Sequence, residues 1–276
     1  VAEDSNSTSG TIENCYNAGT VSGSGDVGGV IGVIESGSVS DCYNTGAVSG
    51  VNSVGGVVGY NNRSIVRSCY NADSFTSNAS HTGGVVGRNI SGVVSSCYNT
   101  GVVTNKDSND NVGGILGSSV NGTVTGCYNI GKVEGDIGND FLGSILGNNY
   151  DSAIDSCYFL AGTADRGGVG AGGTGGTTPF SVENQFGVST NFTGWDFNDT
   201  WVMSNGFAGG GSFTRPVLLY NCESTGVISS GDGTAGDPYK IPNLATLEYY
   251  RDKINNGEGS YRSASYVLTA NIDLGG

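Results

Sequence analysis

Charged residues are scarce in this sequence, and basic residues are the scarcest of them. Of the 276 residues only 13% are charged, and 11 Lys and Arg stand against 25 Asp and Glu, which gives a net charge of −14. Proteins that bind the phosphates of nucleic acids or the headgroups of anionic lipids need clustered basic residues. The composition therefore argues against both partners, and the acidic excess is best explained as keeping a glycine-rich surface soluble.

Long apolar runs and the residues of common active-site motifs are missing as well. No apolar stretch approaches the roughly 18 residues of a membrane-spanning helix, and no basic-then-apolar signal opens the chain. The first residue, Val1, suggests a mature or excised fragment. The single histidine, His81, has no G-x-S-x-G or H-E-x-x-H motif beside it, so we interpret it as a solvated loop residue. The absence of C-x-x-C pairs argues against a structural zinc site.

What the sequence has in abundance is a repeat marked by the dipeptide Cys-Tyr. Successive cysteines of these dipeptides are 27, 27, 28, 30 and 30 residues apart, and each of the last five lies 14 residues after a Gly-Gly or Gly-Ser pair begins. The variation in length lies between each cysteine and the next glycine pair. This predicts a packed segment of constant length followed by a surface loop that tolerates insertions. The six cysteines of the repeat are Cys15, Cys42, Cys69, Cys97, Cys127 and Cys157.

A repeat of this length and composition predicts a right-handed parallel β-solenoid with about one coil per 27–30 residues. Helical repeats need helix formers, whereas this unit consists largely of Gly, Ser, Val and Asn, and propeller blades need four strands and about 40 residues. We expect three short β runs in each coil, with glycine and asparagine at the turns.

Stacked coils place identical side chains in columns. Each cysteine follows a small turn-forming residue and lies three residues after Ile or Val, so a corner before it directs both side chains inward. The cysteines then form a structural ladder of free thiols at a spacing of about 4.8 Å. The tyrosines point the other way and stack along one outer edge, which is also a candidate ligand-contact edge: Tyr16, Tyr43, Tyr70, Tyr98 and Tyr128. The asparagines that follow them are placed for an amide ladder: Asn17, Asn44, Asn71, Asn99 and Asn129.

Three further segments follow the repeats. Residues 1–160 are predicted to form the solenoid, 161–222 its aromatic C-terminal cap, 223–237 a linker and 238–276 the opening of a following module. In this last segment we expect a helix over about 244–254 and a strand over 266–274. A cap is needed because the last coil of a solenoid exposes strand edges and core. The alternative role for the cap is a glycan-stacking platform, with Trp195 and Trp201 as its candidate residues.

Each unit combines two patterns, V-G-G-[VI]-[VIL]-G and G-x-V-x-x-C-Y-N-x-G-x-V, as at Val27–Gly32 and Val54–Gly59. In these patterns the chain resembles the GLUG-motif proteins of bacterial cell surfaces, which include adhesin-like proteins and immunoglobulin A-specific metallopeptidases. The resemblance covers about residues 10–160, while 192–219 is similar to the end of such an array and 238–274 looks like the start of another. It implies a fragment of a long, multi-module, secreted protein at the cell surface or in the cell wall. It implies no catalysis by the repeats.

These features favour a non-catalytic structural or adhesion module, a stalk or binding segment without enzyme activity. Its expected partners are neighbouring modules of the same polypeptide and surface glycans or proteins of a host or bacterium, without nucleic acid and without membrane insertion. We expect no cofactor; the alternative is Ca²⁺ at the acidic loops 105–111, 135–140 and 231–237, whose spacing fits neither the EF-hand loop nor the nonapeptide Ca²⁺ repeat. Two other functions stay open: an accessory region of a secreted peptidase or carbohydrate-active enzyme, and a glycan-binding module.

Overall fold

A computed structural model shows an all-β chain with almost no helix. It describes residues 10–106, 110–135, 141–173, 175–197, 200–205, 214–218, 235, 239–241, 250–251, 254 and 263–268. The chain forms two compact units; the described residues up to Trp195 belong to the first and those from Asp196 onward to the second. The first unit is a parallel β-solenoid of about five turns with one coil per repeat, which confirms the predicted fold class. In the described part of the chain, no helix is long and apolar enough to cross a membrane.

Each sheet of the solenoid runs along its axis and takes one parallel strand from successive coils. The sheet that precedes the cysteines contains β1 (Thr11–Glu13), β6 (Ser38–Ser40), β11 (Ile65–Arg67), β16 (Val93–Ser95), β21 (Thr123–Thr125) and β26 (Ala153–Asp155). The Tyr-Asn sheet contains β2 (Tyr16–Asn17), β7 (Tyr43–Asn44), β12 (Tyr70–Asn71), β17 (Tyr98–Asn99), β22 (Tyr128–Asn129), β27 (Cys157–Leu160) and β29 (Thr177–Phe180).

Two further sheets flank the paired glycines, and short strands close each coil. Before the glycines lie β4 (Val27–Gly28), β9 (Ser53–Gly55), β14 (His81–Gly83), β19 (Asn111–Gly113) and β24 (Leu142–Gly143). After them lie β5 (Ile31–Glu35), β10 (Val58–Asn62), β15 (Val86–Ile90), β20 (Leu116–Val120), β25 (Leu146–Tyr150) and β28 (Val169–Ala171). The closing strands are β3 (Val21–Ser22), β8 (Val48–Ser49), β13 (Phe75–Ser77), β18 (Val103–Asn105) and β23 (Val133–Glu134).

A complete coil therefore contains five short strands rather than the three runs expected from the sequence. Two of the expected runs are each divided into two strands, one at the glycine pair and the other at the left-handed residue before the cysteine. The two strands that flank the glycine pair pack closely. A Cβ atom on Gly59 would lie only 2.6 Å from the main-chain nitrogen of Val27, and one on Gly55 would overlap the Val58 carbonyl oxygen. Only glycine allows backbones to approach so closely.

The apolar core of the solenoid consists of two clusters. The larger contains the buried cysteines together with the valines three residues before them, such as Val39 and Val66, which are fully buried. The smaller contains Val27, Val48, Val54, Phe75, Ala79, Val103, Val112, Val133, Leu142 and Ala164. Each buried Val or Leu stabilises the fold by about 1.5–3 kcal/mol relative to an exposed one, so the core gains stability with every added coil.

The corners of the coil are made by residues in the left-handed backbone region. The residue before each cysteine has φ between 50° and 62°: Asn14, Asp41, Ser68, Ser96, Gly126 and Ser156. A second corner follows the glycine-pair strands, with φ between 50° and 58°: Ser36, Arg63, Ser91, Asn121 and Asp151. Small polar residues adopt this region more readily than β-branched ones, and this explains the choice of residue before each cysteine.

Aromatic residues cover the C-terminal end of the first unit. Two 3₁₀ helices, Glu183–Gly187 and Ser189–Asn191, follow β29. The ring of Tyr158 lies 4.9–5.6 Å from the rings of Phe180, Phe192 and Trp195. Such tilted and edge-to-face contacts stabilise beyond simple burial. The boundary between the two units falls inside the 161–222 range that the sequence assigns to the cap.

The second unit contains two strand pairs. Strands β30 (Trp201–Asn205) and β31 (Thr214–Leu218) are antiparallel, whereas β32 (Tyr239–Ile241) and β33 (Tyr266–Leu268) are parallel. Of the expected helix over 244–254 the structure describes Tyr250, Arg251 and Ile254, all helical, and the other positions lie outside the described residues. The strand expected over 266–274 is present at β33, and its remainder, like most of the expected linker 223–237, also lies outside them.

Candidate functional site

The cysteines of the repeat form a buried column along the solenoid. All six are free thiols, and Cys42, Cys69, Cys97, Cys127 and Cys157 are completely buried, while Cys15 at the N-terminal end is exposed. The thiol of Cys42 donates to the carbonyl oxygen of Ser40 at 3.0 Å, and that of Cys69 donates to the carbonyl oxygen of Arg67 at 3.1 Å. Burial and the neighbouring thiol of Cys127 raise the pKa of Cys97 well above its ordinary value. The five fully buried thiols are out of reach of solvent and pack against the valines of the core.

The tyrosines form a second column, in which neighbouring rings lie face to face. The ring centroids of successive pairs from Tyr16 to Tyr128 are 4.7–5.1 Å apart, with interplanar angles of 3–10°. Tyr16 is 64% exposed and Tyr43 is half-buried, but Tyr70, Tyr98 and Tyr128 are at most 1% exposed. The edge that the sequence offered for ligand contact is therefore open to solvent only at its N-terminal end.

The asparagines beside the tyrosines form an amide ladder. The Nδ2 atoms of Asn17, Asn44, Asn71 and Asn99 each donate to the Oδ1 of the asparagine in the next coil at 2.8–2.9 Å, and the ladder ends at Asn129. Each also donates to a carbonyl oxygen two residues later, as Asn99 does to Gly101 at 2.8 Å. In the four asparagines before Asn129, both amide hydrogens are satisfied inside the protein, and this is what a buried amide requires.

A second polar ladder, missed by our sequence analysis, lies at the other corner. Asn61 donates to Asn89 at 2.7 Å, Asn89 donates to the hydroxyl of Ser119 at 3.0 Å, and Ser152 donates to Ser119 at 2.8 Å. Asn61, Asn89 and Ser119 are buried, and each lies six residues after the first glycine of the glycine pair in its own coil. That fixed spacing is the signal that reveals the ladder in the sequence.

The two tryptophans named for a glycan platform belong to different compact units. Trp195 is half-buried, and its indole Nε1–H donates to the carbonyl oxygen of Ser156 at 2.9 Å. Trp201 is 1% exposed. A sugar stacks on an exposed ring face, so of the two only Trp195 offers part of its surface to a glycan.

His81 does not lie in a solvated loop, contrary to our interpretation of the sequence. It begins β14, and its Nδ1 lies 2.8 Å from the Nδ2 of Asn111 in the next coil. Burial, together with the positive charge of Arg88, lowers the pKa of His81 to about 4, although Asp26 acts in the opposite direction. The reason for the difference is that the loop before Gly83 is shorter than the sequence suggested and leads directly into a paired strand.

Metal-ligating side chains are not clustered in the described part of the chain. Among the described residues, no group of three or more His, Cys, Asp or Glu side chains is arranged to hold a metal ion. The acidic loops 105–111 and 135–140 lie partly, and 231–237 almost wholly, outside the described residues. The one ion pair within the described ranges joins Lys132 to Glu134 at 2.8 Å on an exposed surface, where such pairs contribute little.

Comparisons of this chain with protein-family models, with curated proteins and with solved structures find no match. The resemblance to GLUG-motif proteins therefore stays a prediction from the sequence.

Proposed function

We propose that this chain is a non-catalytic structural module, a stiff stalk or adhesion segment of a secreted, surface-attached bacterial protein. The bacterial surface setting rests on the GLUG-like motif. The structural role is supported by the contacts between coils, which repeat along the solenoid without interruption.

Stiffness follows from the number of independent contacts that bending has to disrupt. Each coil is joined to the next by main-chain hydrogen bonds in several parallel strands, and it adds about 4.8 Å of length. On one side the rings of Tyr70 and Tyr98 are stacked in nearly parallel planes with their centroids 4.7 Å apart, and Asn71 donates to Asn99 at 2.8 Å. Bending away from that side would separate the stacked rings and break the hydrogen bonds between asparagine side chains at the same time, so the solenoid resists bending.

The observation that carries the proposal is the continuity of the ladders while the loops vary. The amide ladder runs through five coils although the repeat length changes from 27 to 30 residues. The scaffold is thus constant, and the inserted residues fall in loops after the closing strands. A stalk needs a constant scaffold. An adhesion segment uses variable loops, because surface loops tolerate sequence change and often contain binding residues.

Single-molecule force spectroscopy tests this role, with handles placed before β1 and after β29. One coil of about 28 residues releases roughly 100 Å of chain when it unravels, since an extended residue spans about 3.3–3.6 Å. We expect force peaks separated by this length or its multiples. A variant that lacks residues 84–113, in which Gly83 is joined to Gly114 in the same register, should lose one such increment at an unchanged peak force.

A deletion of half a coil, residues 84–98, is the matched control, because it moves every later ladder out of register. We expect this variant to unfold without regular peaks. If the wild-type chain extends in one weak event, or if both deletions behave alike, the proposed load-bearing role is wrong.

A further inference from the structure

We propose that His81 and Arg88 form a binding site for a small oxyanion, a carboxylate or sulfate such as acidic glycans carry, on the side of the solenoid. The site goes beyond the structural role proposed above and does not depend on it. The geometry that points to it combines a histidine N–H that has no acceptor among the described residues with a positive charge that no described carboxylate contacts.

The site lies where two adjacent strands of one coil meet neighbours in the next. His81 in β14 is paired in register with Ser53 and Asn111, and Arg88 in β15 is paired with Tyr60 and Ser118. The two strands that flank the glycine pair lie against each other: a Cβ atom on Gly117 would lie 2.9 Å from the carbonyl oxygen of Asn111, and these positions correspond to Gly87 and His81 in the preceding coil. Arg88, next to Gly87, is therefore near enough for its charge to act on the imidazole. Both side chains, His81 and Arg88, are partly exposed.

The hydrogen bond to Asn111 fixes which ring nitrogen of His81 carries the proton. The Nδ2 of Asn111 lies 2.8 Å from His81 Nδ1 and also donates to the carbonyl oxygen of Ser80 at 3.4 Å. An amide nitrogen can only donate, so Nδ1 of the neutral ring must accept. The proton is therefore on Nε2, which has no hydrogen-bond acceptor within the described part of the chain.

Arg88 carries a charge that no carboxylate in the described residues contacts. Its guanidinium carbon lies 5.8 Å from the centre of the Tyr60 ring, a cation–π arrangement that holds the side chain in place. Its buried Nε has no hydrogen-bond partner. A buried donor without a partner costs about 1–3 kcal/mol, or more when the group is charged. An oxyanion that accepts from the guanidinium group and from His81 Nε2–H would compensate the positive charge of Arg88, which no described carboxylate contacts.

Two charged side chains, Arg88 and Asp26, act on His81 and set the pH dependence of the site. Burial and Arg88 favour neutral His81, while Asp26 favours its protonated form. Tyr60 faces Arg88 through its ring. A bound anion would favour protonation of His81 in the same way as Asp26 does. Asp26 itself repels an anion, so its neutral variant Asp26→Asn should bind more tightly.

Because His81 is the only histidine, the nitrogen signals of its ring report on the site without ambiguity. The experiment is a heteronuclear NMR titration of the ¹⁵N-labelled protein with sodium sulfate and, separately, with sodium galacturonate, against NaCl at matched ionic strength. We expect a saturable shift of Nε2 at pH 7. We also expect a rise of at least one unit in the pKa of His81, which means at least tenfold tighter binding to the protonated form.

Variants separate a built site from general attraction to positive charge. Arg88→Gln should abolish saturation, whereas Arg67→Gln, at an exposed arginine on β11, should leave it unchanged. Asp26→Asn should lower the dissociation constant at least twofold, and it keeps the test decisive if Arg88→Gln fails to fold. A strictly linear shift with both salts would overturn the proposal. So would equal losses in Arg67→Gln and Arg88→Gln, or weaker binding by Asp26→Asn.

Discussion

Replacing Asn99 by alanine tests whether the amide ladder holds the coils together. Asn99 is completely buried and takes part in three hydrogen bonds: it donates to Gly101 at 2.8 Å and Asn129 at 2.9 Å, and accepts from Asn71 at 2.8 Å. Each buried hydrogen bond contributes about 1 kcal/mol, and each group left unsatisfied costs about 1–3 kcal/mol.

The neighbours of Asn99 reduce this cost without removing it. In the variant, Asn71 keeps its bond to Asp73 at 2.8 Å, and the Oδ1 of Asn129 keeps the amide of Gly131 at 3.1 Å. We therefore expect a loss of about 3–4 kcal/mol in the free energy of unfolding, near the lower end of the range for three buried bonds. The loss is measured as a lower midpoint of guanidinium-induced unfolding, followed by circular dichroism, and as faster amide hydrogen exchange in the flanking coils.

Asn17 is the matched control, because it holds the same position in the repeat at the exposed end of the ladder. Its bonds to Gly19 and Asn44 are accessible to water, which replaces them in Asn17→Ala. We expect this variant to lose less than about 1 kcal/mol. Equal losses in the two variants, or a loss below about 1 kcal/mol in Asn99→Ala, would show that the ladder does not stabilise the fold.

Three further predictions concern the close backbone contacts, the thiols and the histidine. Gly84→Ala places a Cβ against the Gly114 carbonyl oxygen and should cost at least about 3 kcal/mol, whereas Gly25→Ala, with nothing within 4 Å, should change stability by less than about 0.5 kcal/mol in the same denaturation assay. Thiol titration of the unreduced protein should give all seven cysteines in denaturant, while in the native state Cys15 reacts and the five buried thiols do not; a count near one in denaturant contradicts the column. His81 has a pKa of about 4 when folded against 6.5 as its ordinary value, so its contribution to stability is complete above pH 6.5 and is lost as the pH falls toward 4. His81→Gln should flatten this part of the stability curve, and identical curves for variant and wild type would contradict the burial of the ring.

The solenoid was predictable because the repeat period of the sequence, rather than local secondary-structure propensity, specifies the fold. When coils stack in register, equivalent residues become neighbours, so one count of 27–30 residues fixes strand pairing for the whole array. The corner before each cysteine was predictable for a local reason, since Asn14 and Asp41 belong to the residue types that tolerate left-handed φ. The strand count was not, because the close packing of the strands that flank the glycine pair depends on contact between backbones.

The candidate binding site was not visible in the sequence. His81 and Arg88 are seven residues apart in a stretch without a motif, and the amide that selects the tautomer, Asn111, is 30 residues from His81. A solvated loop and a buried strand look alike there, because both are short and polar. Only the pairing of β14 with β9 and β19 places the imidazole in a partly buried position beside a cation.

The sequence by itself determined the repeat, the parallel solenoid and the columns of cysteine, tyrosine and asparagine, because stacking turns equal spacing into contact. Only the tertiary structure decided which members of those columns are reachable. Tyr16 is exposed whereas Tyr128, in an equivalent position, is buried against Phe186 and Trp195. The accessibility of a side chain depends on which residues from outside the repeat pack against its coil. The repeat motif is the same in every coil, so it cannot predict that difference.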